Sequence, residues 1–97
     1  MDKYLIINAD DFGMCRSANL AVMDLLKSGS ITSSTIMAPC AWAYEACQFA
    51  KNNPQFAIGV HLTFTSEWAT YRWAPVGASN TDSLRDELGF MYHESID

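Results

Sequence analysis

The sequence predicts an α/β fold built on a parallel sheet. Three observations carry that expectation: an apolar run near the start, two stretches with helical spacing of small and apolar residues, and two further extended runs that alternate with them. Strand, helix, strand, helix, strand in that order calls for parallel neighbours joined by crossovers.

Residues 4–9, "YLIINA", are nearly all apolar, as in a strand covered on both faces. Residues 16–28 place Ala18, Ala21, Val22, Leu25 and Leu26 on one helical face, and Gly29 supplies the stop. The β-branched run "ITSSTIMA", 31–38, lies between Gly29 and Pro39 and reads as the second strand. A second helix, 41–52, carries Ala43, Ala46, Cys47 and Ala50 on its packing face, and "NNP" ends it because proline cannot continue a helix. In 56–64, "FAIGVHLTF", bulky residues alternate with Ala57, Gly59, His61 and Thr63, giving a third strand with one bulky and one small face. Beyond it the periodicity disappears. Residues 65–97 read as a long loop with an aromatic cluster, Trp68, Tyr71 and Trp73, and a short hairpin near Gly89–Tyr92. A loop of that length in a small domain is functional or belongs to something larger. The whole chain, 1–97, is expected to form one domain.

Composition narrows the function classes. A net charge of -5, with scattered basic residues, disfavours a nucleic-acid partner. No segment reads as a signal peptide or membrane span, so the expected location is cytoplasmic, with no membrane partner. Cys15, Cys40 and Cys47 form neither an even set nor a C-x-x-C pair, which argues against a disulfide framework or zinc knuckle.

Chemistry concentrates at the carboxyl ends of the strands, where parallel α/β folds bind ligands. Asp10 and Asp11 close the first strand, and His61 lies near the end of the third, on its small face. Adjacent carboxylates repel, so such a pair either neutralises a cation, shares a proton, or caps the following helix as a solvated pair. Carboxylate plus imidazole suits a divalent ion such as zinc, manganese or iron, and magnesium if water fills most positions. In an unbroken strand the two aspartates would point to opposite faces. A shared site therefore requires a break, and Gly13 with the turn into the helix offers one. Arg72, between aromatics, suits either a polar ligand or packing of the loop, and the aromatic cluster suits either a sugar face or the same packing. His93 reads as a surface residue.

The stretches "INADDFG", "SITSSTIM" and "IGVHLTFTSEW" resemble the YdjC-like carbohydrate deacetylases, and "YRWAPV" with 86–90 extends the resemblance over essentially the whole chain. The resemblance implies the first three βα units of a distorted β/α barrel and hydrolysis of N-acetyl groups from amino sugars such as chitooligosaccharides. It implies Asp10 as catalytic base and Asp11 and His61 as ligands of a divalent metal ion, expected to be magnesium or zinc. Arg72 and Trp73, in the aromatic segment that follows His61, are expected to bind the substrate. The family's third metal ligand is a later histidine with no counterpart before Asp97, so the resemblance implies a fragment, inactive by itself. A phosphoacceptor receiver domain would need an aspartate where His61 stands. A second alternative is a non-catalytic binding or structural piece that pairs its open sheet edge with another copy, and homo-oligomerisation is expected on that ground.

Overall fold

The computed structural model describes residues 1–77 and 79–94. Of the expected loop, positions 78 and 95–97 lie outside the described residues. Three strands, β1 (Asn8–Phe12), β2 (Ser33–Ile36) and β3 (Ala57–Val60), alternate with helices α1 (Arg16–Ser28) and α2 (Ala43–Asn52). The sheet is parallel throughout, in the order β1-β2-β3. Contacts divide the chain into two compact units, Met1–His61 and Leu62–Asp97. The division falls just after β3, inside the run 56–64 whose alternation reads as a strand.

In the first unit the core is formed by Phe12, Val22, Leu26, Ile31, Ile36, Ala43, Ala46 and Phe49. Phe49 links it, meeting Phe12 edge-on at 6.0 Å and stacking on Phe56 at 5.8 Å. Phe12 and Ile36 are register partners, so they point into this cluster from neighbouring strands. The alternation of the pleat then puts Asn8, Asp10, Ser33, Thr35, Gly59 and His61 on the opposite face. That face is small and polar.

β1 differs from expectation. It spans 8–12 rather than 4–9, so the aspartates lie inside the strand rather than after it. Pairing requires a partner, and β2 begins only at Ser33. Ile7 still accepts hydrogen bonds from the Thr32 and Ser33 amides, but Tyr4, Leu5 and Ile6 are exposed. Both other strands are shorter than the apolar runs that announced them, β2 by its flanks and β3 by its end. Val60, Leu62 and Phe64, expected on the bulky face of the third strand, are exposed.

α1 occupies the expected residues and stops at Gly29, which adopts φ +76 and donates back to Leu26. Its buried stripe is Asn19, Val22 and Leu26, with Leu25 exposed. α2 starts at Ala43 instead of 41 and buries Ala43, Ala46 and Phe49, while Cys47 is exposed. Phenylalanine, not cysteine, fills the third position on that face because Phe12 and Phe56 offer it rings to pack against.

The second unit contains a 3-10 turn, Asp82–Leu84, and one antiparallel bridge between Arg85 and Met91 that closes a turn at Gly89. Hydrogen bonds to Ser66, which is fully buried, organise it: Trp73 N–H donates to the Ser66 hydroxyl at 3.0 Å and the Ser66 amide donates to Tyr92 at 2.8 Å. No helix among the described residues is long and apolar enough to cross a membrane.

Candidate metal and proton-transfer site

The break that a shared site requires is present, and it involves the aspartates themselves. Between the Ala9–Ser34 and Phe12–Ile36 pairs, β1 advances three residues while β2 advances two. The extra residue is a β-bulge at Asp10–Asp11. Asp11 takes φ +66, a left-handed conformation that a non-glycine residue adopts at a cost. Asp10 keeps its place on the polar face, and the turned backbone directs Asp11 toward β3.

His61 stands just past β3, held by its amide to the Ile36 carbonyl at 2.9 Å. Its Nδ1 lies 3.7 Å from Asp11 Oδ1 and accepts the Asp11 amide at 3.5 Å. That hydrogen bond uses a lone pair of Nδ1. An imidazole acceptor thus faces a carboxylate oxygen, an arrangement that a cation bound by both would stabilise. Asp11 and His61 are therefore a chemically suitable pair of divalent-metal donors. Among the described residues no group of three or more His, Cys, Asp or Glu is placed to hold a metal.

Asp10 is anchored separately. Its Oδ1 accepts Asn8 Nδ2 at 2.7 Å and the Thr35 hydroxyl at 3.5 Å, and the Ser33 hydroxyl steadies Asn8 at 2.7 Å. One carboxylate oxygen is bound to the strand neighbours. The two aspartates, adjacent in sequence, are thus held by different partners.

Arg72 and Trp73 belong to the second unit. The Arg72 guanidinium donates to Ser66 Oγ (3.2 Å), Asp86 Oδ2 (3.1 Å) and the Met91 carbonyl (2.6 Å), and lies over the Phe90 ring. Trp73 is buried and donates its indole N–H to the Thr65 carbonyl at 2.8 Å. Both side chains knit this unit together. Burial raises the Asp86 pKa, but amides of Phe90 and Leu88 and the Arg72 guanidinium outweigh it and hold the carboxyl below its ordinary value. A cavity of about 430 Å³ lined by Asp86, Glu87, Leu88 and Tyr92 includes neither Arg72 nor Trp73. At the start of α1, the Ser17 hydroxyl lowers the Cys15 thiol pKa, as does the Ala18 amide.

Residues 4–97 match the sequence model of YdjC-like proteins. The chain belongs to the YdjC-like family. A chitooligosaccharide deacetylase of Yersinia enterocolitica is 30% identical to this YdjC-like chain over 113 aligned positions, covering 99% of the chain and 45% of the relative. A carbohydrate deacetylase of Thermoanaerobacter pseudethanolicus is 41% identical over 90, covering 92% and 34%. A solved structure from Enterococcus faecalis, provisionally described as a cellobiose-phosphate cleavage protein, superposes with a TM-score of 0.76 at 34% identity, over 94% of this chain and 34% of that one. The chain thus spans less than half the length of these relatives.

Asn19 is the residue that the sequence reading missed. It sits in the buried stripe of α1 yet is polar, so a search for apolar periodicity passes over it. Its one available signal is an amide side chain six residues after Gly13, the glycine that follows the acidic pair.

Proposed function

We propose that this YdjC-like chain contributes part of a site that hydrolyses N-acetyl groups of amino sugars such as chitooligosaccharides. In this reading Asp11 and His61 hold a divalent ion, magnesium or zinc, and Asp10 is the general base. The observation that carries it is the bulge, which brings Asp11 Oδ1 to 3.7 Å from His61 Nδ1 while Asp10 keeps partners of its own.

When bound, a divalent ion lowers the pKa of water and polarises an amide carbonyl. The chain's own residues supply the rest. Asn8 and Thr35 fix one oxygen of Asp10, so its carboxylate is oriented to accept the proton of the attacking water. Water adds to the acetamide carbon, the C–N bond breaks, and acetate and a free amine are the products. A catalytic zinc-type site has three protein ligands, and the third is expected from the later histidine of the family pattern. The three strands and two helices would then be the opening of a β/α barrel with the polar sheet face as its interior. Arg72 and Trp73 would serve the substrate by shaping the segment that carries the exposed Trp68 ring.

A chimera in which residues 1–97 replace the matching third of the Thermoanaerobacter deacetylase tests the activity. It is expected to release acetate from diacetylchitobiose, to lose activity with a chelator, and to regain it with Zn²⁺ or Mg²⁺. A folded chimera that releases no acetate under any metal would favour the non-catalytic alternative.

A further inference from the structure

We propose that Asn19 is the positioning residue of the Asp11–His61 pair, an inference that rests on the site described above and deepens it. Asn19 is fully buried, and its side chain bonds both the turn that follows the aspartates and the start of α2. Its Oδ1 accepts the Gly13 amide at 2.6 Å, and its Nδ2 donates to the Trp42 carbonyl at 3.0 Å and to Glu45 Oε1 at 3.1 Å. Glu45 in turn pairs with Arg16. One side chain therefore ties the β1–α1 turn to the first turn of α2.

The turn has little other freedom. The Asp11 carbonyl accepts Met14 N–H at 3.1 Å, the Phe12 carbonyl accepts Met37 N–H at 2.7 Å, and the Gly13 carbonyl accepts Trp42 N–H at 3.1 Å. The Gly13 amide is the remaining polar group of that glycine, and Asn19 takes it. Without this acceptor the amide would be buried and unpaired, and the turn would relax to find another partner. Asp11 is the residue that would move first, because its left-handed backbone persists only while the neighbouring structure holds it. Outer partners that orient metal ligands characteristically affect metal affinity without touching the ion.

The test compares the full chain with Asn19→Ala, Asn19→Asp and the core control Val22→Ala by NMR, at a temperature where each is folded. Three readouts are taken: exchange protection of the Gly13 amide, resonance positions of Asp11 and His61, and shifts of His61 on adding Zn²⁺. Asn19→Ala should unprotect Gly13, displace the Asp11 and His61 resonances and weaken Zn²⁺ binding about tenfold or more. Val22→Ala should leave all three near wild type. Asn19→Asp keeps an oxygen for Gly13 but sets its other oxygen against the Trp42 carbonyl and Glu45, which costs stability; in the folded state it should restore protection and resonance positions. Should Asn19→Ala not fold, Asn19→Asp decides alone: displaced Asp11 and His61 with Gly13 still protected would overturn the proposal. Undisturbed Asp11 and His61 in a folded Asn19→Ala would overturn it equally. If wild type shows no Zn²⁺ response at His61, the metal reading fails, while the resonances still decide the role of Asn19.

Discussion

Two glycines with positive φ provide a controlled comparison of what holds the site turn. Gly13 has φ +93 and Gly29 has φ +76, so alanine is conformationally strained at both. At Gly29 an added Cβ meets nothing within 4 Å, and the left-handed backbone alone should cost about 1–2 kcal/mol. At Gly13 that carbon would lie 3.0 Å from Ala43 Cα and 3.3 Å from Ala43 N. These are backbone atoms at the start of α2, and they cannot rotate away as a side-chain tip could. Overpacking of this kind adds about 1–3 kcal/mol, and a small domain loses about 4–8 °C per kcal/mol. Gly13→Ala should therefore melt about 10 °C below Gly29→Ala in circular-dichroism scans at equal protein concentration. Equal melting temperatures would show that the close approach of the turn to α2 does not constrain the chain.

Trp73→Ala should destabilise the second unit by about 3–5 kcal/mol in urea unfolding, since it empties a buried ring position. Trp68→Ala, at an exposed ring, should leave stability near wild type and raise the chimera's KM for diacetylchitobiose. Asp86 has a depressed folded pKa, so its stabilisation is present above the unfolded value of about 3.8 and is lost as pH falls through the folded value. The stability difference between wild type and Asp86→Asn should accordingly shrink below about pH 4, measured by urea unfolding across pH. The 97-residue chain by itself should release no acetate, with two metal donors where three are usual, and light scattering should report an oligomer, given exposed Tyr4, Leu5, Ile6 and Val60.

Much of the first unit was legible because its signals are periodic. The helical spacing and Gly29 bound α1, and the side-chain alternation of strands showed in advance that Asp10 and Asp11 could share a site only across a break. What the pattern could not specify is where pairing starts. The apolar run 4–9 looks like a strand, but β1 is defined by the residues that β2 can reach, and the bulge carries it through Phe12. Asn19 was hidden for the opposite reason, being a polar side chain buried by specific hydrogen bonds. Arg72 itself stood out between aromatics, but its partners Ser66, Asp86 and Met91 did not, because they are brought together by chain turns that have no repeat.

The central claim is that neighbouring aspartates divide the labour, Asp11 with His61 holding the ion and Asp10 taking the proton. Calorimetric titration of Zn²⁺ into the chimera and its Asp10→Asn, Asp11→Asn and His61→Ala variants, paired with acetate release, tests it most directly. Asp11→Asn and His61→Ala should each bind at least about tenfold more weakly, whereas Asp10→Asn should bind nearly as wild type and release no acetate. Equal loss of Zn²⁺ binding in all three variants would contradict the account.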